Sequence, residues 1–315
     1  MFGFLTRPLD RLAIRSATAS VEIVDECGDA AAAERLLRDP DLFRAPASSV
    51  RDLSFRTKHD FQFSSPAESR EPENRIVHGK LYRAGKEWHK KPSVILLHGW
   101  NGELGYWRQF PYLAWRLNRW GVNAAMFELP YHAQRRPLAP NAIRNFISHD
   151  LVRMIEATQQ ALADARALLG WLEEQGSPRI GFWGVSLGGW LAGLLACHEP
   201  RSGFSVLMTP VNRMDRAIKE LEFCEAIRRS LGNATLSLEP LNLLHYRPLL
   251  DPQRILLIQS NFDLFAPRET VEELWQAWCK PHLWRYRHGH ISILMSVPVM
   301  ERTARWVART ASAAQ

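Results

Sequence analysis

The sequence predicts an α/β fold with a mostly parallel central sheet flanked by helices. Three observations carry this. From Pro92 onward, short continuous apolar runs alternate with stretches of helical periodicity, the rhythm of strands buried on both faces and joined by crossover helices. A Gly-x-Ser-x-Gly sequence sits where such a strand meets such a helix. The chain has 46% hydrophobic and 23% charged residues, ordinary values for a soluble globular protein, and no apolar run reaches the roughly 20 residues needed to span a bilayer.

Taken in order, residues 1–50 read as helical pieces broken at Pro8, Pro40 and Pro46. Leu53–Phe63 and Ile76–Arg83 alternate β-favouring residues with turn residues, as an antiparallel pair entering the sheet would. Val94–Leu97 is a buried strand, followed by a helix over Tyr106–Trp120, a strand over Val122–Leu129 and a helix over His149–Gln175. Next come strand Arg179–Val185, helix Leu187–His198 and strands Phe204–Met208 and Ile255–Gln259. Helix Arg268–Lys280, strand Leu283–Tyr286 and helix Val297–Thr310 complete the pattern. The interval 210–252 interrupts the alternation and carries helical pieces such as Asp215–Ser230, which reads as a cap or lid inserted between two sheet strands. The organisation expected is an N-terminal extension over 1–75, with a helical segment and the first strand, and an α/β domain over 76–315.

The strand Arg179–Val185 runs into Gly184-Val-Ser186-Leu-Gly188-Gly189. A nucleophile on a tight strand-to-helix turn needs a strained backbone and small neighbours, which Gly184 and Gly188 supply. The helix behind Ser186 offers free N–H groups to a developing oxyanion. By chance alone, Gly-x-Ser-x-Gly arises in on the order of one chain in twenty of this length; its place after a buried strand is what gives it weight.

Supporting residues lie at the ends of other strands. His98-Gly99-Trp100 follows the Val94–Leu97 strand, so the N–H of Trp100 is expected to join that of Leu187 in an oxyanion hole. His98 itself is expected to order that loop. Asp263 follows the Ile255–Gln259 strand and is expected to orient a histidine, whereas its rival Asp251 precedes that strand and belongs at the opposite edge. Past the last strand stand His288 and His290, and the Gly289-His290 pair favours His290 as general base, with His288 as the fallback.

HGWNG, GVSLGG, SNFDLFAP and HGH together resemble the α/β-hydrolase superfamily over about residues 76–315, and FELPYHAQRRP (127–137) resembles a stretch of the α/β-hydrolase domain-containing protein 18 family. The superfamily resemblance implies the α/β-hydrolase fold, a triad of Ser186, Asp263 and His290, and the Trp100 and Leu187 N–H groups as oxyanion hole. The narrower one makes an acyl-lipid ester more plausible as substrate. Tyr131, Arg135 and Arg136 are expected near the pocket mouth, where the arginines would hold a phosphate or carboxylate or else anchor their loop or face solvent.

The expected function is therefore hydrolysis of a carboxylic ester through an acyl-enzyme, needing no cofactor and no metal. A thioesterase or acyltransferase would use the same scaffold, and a catalytically idle binding domain is the alternative from another class. The dehalogenase variant would need an aspartate in place of Ser186.

The net charge of +7 and pI near 9.5 favour acidic partners. The basic residues are scattered, however, and no nucleic-acid motif is present. Cys27, Cys197, Cys224 and Cys279 form no CxxC or metal-ligand cluster, which suits a reducing, cytoplasmic setting. Trp107, Trp115, Trp120 and Trp190 flank the motifs, as core residues or as walls of an acyl site. Residues 1–20 contain no uninterrupted apolar stretch like that of a secretory signal and mix Phe2, Phe4, Leu5, Leu9, Leu12 and Ile14 with Arg7, Arg11 and Arg15. They are expected either to lie on anionic lipid as an interfacial helix or to pack on the domain.

Overall fold

The structure is a computed structural model that describes residues 3–21, 28–44, 49–103, 105–139 and 142–313. Its centre is a nine-stranded sheet in the order β1-β2-β3-β5-β4-β6-β7-β8-β9. The strands are β1 (Ser54–Phe55), β2 (Asp60–Ser64), β3 (Ile76–Tyr82), β4 (Ser93–Leu97), β5 (Asn123–Phe127), β6 (Ile180–Val185), β7 (Ser205–Met208), β8 (Ile255–Ser260) and β9 (His282–Tyr286). The first three form an antiparallel meander joined to β5, and every later pair is parallel.

The apolar runs are strands for the reason the sequence suggests. All residues of β4, β5, β6, β7 and β8 are buried, because helices cover both faces. Each fully buried leucine, isoleucine or valine contributes roughly 1.5–3 kcal/mol, so register is strongly fixed. The helices α1 (Gly3–Ser20), α2 (Ala30–Leu37), α3 (Phe110–Arg119), α4 (Leu151–Glu174) and α5 (Leu187–His198) include the long crossovers. Asp150 caps α4 by accepting from the Arg153 N–H at 3.0 Å. After β7 the chain forms α6 (Met214–Glu220) and α7 (Glu225–Leu231), and after β8 it forms α8 (Arg268–Ala277), α9 (His290–Leu294) and α10 (Val297–Ser312). The helix expected from Tyr106 begins with a π turn over Gly105–Gln109, and α9 was not anticipated.

One break expected from the sequence is not made. Pro8 lies within α1 and does not interrupt it. A proline inside a helix removes one backbone donor and costs about 3 kcal/mol. Here α1 is docked through a face of Thr6, Asp10 and Ala17, all buried, which offsets that cost. Those residues, with Ala13, follow the four-and-three spacing of one helix face. Leu9 and Leu12 point outward, at 40% and 66% exposure. Phe2 and the side chains of Phe4 and Leu5 lie outside the described residues, as does Cys27. Among the described residues no helix is long and apolar enough to cross a membrane.

Candidate active site

The carboxyl ends of β4, β6, β8 and β9 meet on one edge of the sheet, and the loops leaving them carry the candidate residues. Ser186 directly follows β6 with φ 55° and ψ −116°, a conformation L-residues rarely hold. Its tight turn is possible because of the flanking glycines. A Cβ on Gly184 would lie 1.8 Å from the Gly188 carbonyl oxygen, and one on Gly188 would lie 2.1 Å from that of Leu97. Helix α5 thus presses directly against the end of β4. The Leu187 N–H is among the first four of α5, which have no carbonyl within the helix to meet. Leu187 and Trp100 both line the cavity beside Ser186.

His290 Nε2 lies 2.8 Å from Ser186 Oγ, and His290 Nδ1 lies 2.8 Å from Asp263 Oδ2. Asp263 is fixed in turn, since its Oδ1 accepts from the N–H groups of Phe265 and Ala266, each at 2.8 Å. The Phe265 ring stacks on the His290 ring with centroids 4.5 Å apart. Burial disfavours the imidazolium, but the Asp263 carboxylate, helped by Asp10, outweighs it and holds His290 above the ordinary histidine value. His288 does not join this group; it is half-buried and within 3.3 Å of Ser292 Oγ. Asp251 caps the turn before β8 by accepting from the Gln253 N–H, at the far end of that strand.

His98 orders its loop. It accepts the Leu129 N–H at Nε2, 3.0 Å away, so its Nδ1 carries the proton and donates to the Gly99 carbonyl. His132, which the sequence analysis did not single out, does the same. It accepts the Asn101 N–H at Nε2 and donates from Nδ1 to the Pro130 carbonyl. Burial pushes both imidazoles down, so each stays neutral. The pair ties the Trp100 loop to the loop after β5, with ring centroids 4.8 Å apart.

Tyr131, Arg135 and Arg136 do not line the Ser186 cavity. The fully buried Arg135 pairs with Asp164 at 2.8 Å and donates to the carbonyls of Glu128 and Asn74, which leaves no side-chain surface for a substrate. Arg136 reaches Glu103 at 2.8 Å. Tyr131 sits under the Arg153 guanidinium and faces a second cavity lined by Arg70 and Glu156. Arg135 thus anchors its loop, one of the roles expected for it, while Arg136 is held by Glu103 at a partly exposed position.

The cavity at Ser186 has a volume of about 320 Å³ and a mostly apolar lining. Its walls come from the Trp100 loop, from Val211, Met214, Ala217 and Phe223 of the 210–252 interval, and from Ala13 and Ala17 of α1. Trp190 is a core residue that donates from Nε1 to the Leu241 carbonyl, while Trp107, Trp115 and Trp120 are about half exposed and wall no part of this cavity. Cys197 and Cys224 are buried free thiols, and Cys279 is free and exposed. Among the described residues no group of acidic, histidine or cysteine side chains has the arrangement of a metal site.

The parallel sheet, the strained turn after β6 and the loop chemistry at the sheet's carboxyl edge define the α/β-hydrolase fold. Solved structures agree. The esterase Pf2001 of Pyrococcus furiosus superposes over 84% of this chain and 98% of its own with TM-score 0.54 and 16% identity. The acylaminoacyl peptidase of Pyrococcus horikoshii does so over 85% and 43% with TM-score 0.55 and 13% identity. At such identities the likeness is one of fold. The chain belongs to the family described as alpha/beta hydrolase domain containing 18, whose model matches residues 43–213. The uncharacterized protein Rv2627c of Mycobacterium tuberculosis is 29% identical over 224 residues, 66% of this chain and 52% of the relative. The chain therefore spans about half the length of the curated relatives it matches.

Proposed function

We propose that this protein is a serine hydrolase that cleaves carboxylic esters with an apolar acyl group through an acyl-enzyme. The observation that carries the proposal is the continuous hydrogen-bonded chain Ser186–His290–Asp263 opening onto an apolar cavity. In this reading His290 takes the Ser186 proton as Oγ attacks the ester carbonyl carbon. The N–H groups of Trp100 and Leu187 receive the oxyanion, and the imidazolium returns its proton to the departing alcohol. Water then adds to the acyl group with His290 again as base, releasing the acid and regenerating the serine. The 210–252 interval and α1 act as the cap that excludes bulk water. Long acyl chains, as in acyl lipids, suit the apolar walls. The outward Leu9 and Leu12 beside Arg7, Arg11 and Arg15 would bring the cap to an anionic lipid surface.

The test is a series of p-nitrophenyl esters of increasing chain length, assayed with wild type and Ser186→Ala. Turnover that rises with acyl length and vanishes in the variant supports the proposal. Equal turnover in the two proteins, or none in folded wild type, rejects it and favours a ligand-binding domain on the same fold.

A further inference from the structure

The face that α1 turns toward the site contains one ionisable group, Asp10, which is 0% exposed. Its Oδ2 accepts the His290 N–H at 2.8 Å and the Leu264 N–H at 3.2 Å, and its Oδ1 accepts the Ile291 N–H at 3.0 Å. These donors belong to two separate loops. Leu264 follows Asp263, while His290 and Ile291 open α9. One carboxylate from the start of the chain thus ties together the two segments whose relative position sets the His290–Asp263 contact. Carboxylate–amide bonds of this kind are stronger than neutral ones, and here they are shielded from water.

Gly289 supplies a second, independent mark of the same arrangement. A Cβ there would lie 2.9 Å from both Asp10 oxygens, so the carboxylate keeps its seat only with glycine before His290 and must shift for any larger residue. The backbone at Gly289 is extended (φ −94°, ψ −175°), a conformation open to any residue. The requirement therefore comes from Asp10 and not from the turn.

We propose that Asp10 is a positioning residue that clamps the Asp263 and His290 loops together from the N-terminal helix and places a second negative charge beside His290. The charged groups around His290 are consistent with this. Asp263 and Asp10 both act on it, while the neighbouring cation Arg7 lies over the Phe262 ring at 6.0 Å. Arg11 points to solvent, and His288 is engaged with Ser292. Loss of a purely structural anchor would leave the His290 titration where it is; loss of a charged clamp would move it.

The test compares full-length wild type with Asp10→Asn, by titration of [15N]histidine-labelled protein and by ester kinetics. The kinetic arm rests on the hydrolase reading and the titration does not. The substituted side-chain amide would keep the shape but lose the charge and present N–H groups to N–H groups. The expected results are a fall in the His290 titration midpoint and an acid limb of kcat/KM that moves down with it. kcat should fall by on the order of 10- to 100-fold with KM little changed, as loosening of catalytic geometry by about 1 Å would give. A folded Asp10→Asn protein with unchanged His290 titration and kcat overturns the proposal. If that variant does not fold, Gly289→Ala serves instead, because its methyl group requires the carboxylate to move away. A lowered His290 midpoint in Gly289→Ala supports the clamp, and an unchanged one overturns it. Wild type inert toward every ester would defeat the hydrolase reading, while the titration still decides the role of Asp10.

Discussion

Substituting Gly188 by alanine puts the close packing of α5 against β4 to a quantitative test. The added Cβ would stand 2.1 Å from the Leu97 oxygen and 2.6 Å from the His98 oxygen. Ordinary carbon–oxygen contact begins near ~3.3 Å, so α5 and the His98 loop must separate by about 1 Å. Overpacking of this kind costs about 1–3 kcal/mol of stability. The larger consequence falls on the site, because the displacement carries Leu187 away from Trp100 and Ser186 away from His290. A misplacement of about 1 Å costs on the order of 10²-fold in rate, equivalent to about 2.7 kcal/mol at the transition state. The measurement pairs kcat and KM on a p-nitrophenyl ester with a urea unfolding curve. The expected result is a folded variant with kcat down about 100-fold and a modest loss of stability. A folded Gly188→Ala protein with wild-type kcat would refute the claim that this contact sets the geometry of the site.

Two further outcomes follow from the same structure. Arg135→Met leaves the Asp164 carboxylate buried without its cation, which should cost about 3–5 kcal/mol in a urea titration; KM for an anionic ester should change no more than KM for a neutral one, and a selective loss of the anionic substrate would restore the substrate-binding role. The acid limb of kcat/KM should have its midpoint above the ordinary histidine value of 6.5, because in the proposed mechanism His290 must be neutral to accept the proton, and its pKa is raised; Asp263→Asn should move that midpoint down while lowering the rate by on the order of 10⁴-fold, and a wild-type midpoint at or below 6.5 would contradict the charge arrangement described. By the same shift, His290 contributes stability that is fully present at acid pH and is lost as pH rises through its raised pKa.

Much of this fold was legible because its strands are buried on both faces. Val94–Leu97 is a continuous apolar run, Arg179–Val185 and Ile255–Gln259 are mostly apolar, and the three match β4, β6 and β8 to within a residue or two. The meeting of Ser186, Asp263 and His290 was legible for a related reason. Each follows one of the parallel strands by a few residues, and parallel strands place their carboxyl ends on one edge. Asp10 was not legible. Its partners are more than 250 residues away, and its neighbours Arg7, Leu9, Arg11 and Leu12 drew attention to the opposite face of the helix. Arg135 offered an anion site or a loop anchor, and the sequence alone did not decide between them. Its true partner, Asp164, lies on α4, 29 residues on, with nothing in spacing to announce it. Pro8 was read as a break because propensity counts only the local cost, whereas α1 is held by what it docks against.

The most direct test of the central claim is the mass of the intact protein after treatment with a fluorophosphonate, followed by peptide mapping. An activated serine gives one phosphonyl adduct on the peptide containing Ser186, absent from Ser186→Ala and strongly slowed in His290→Ala. Folded wild type that stays unmodified by even the smallest such reagent, or an adduct that persists in Ser186→Ala, would contradict the account.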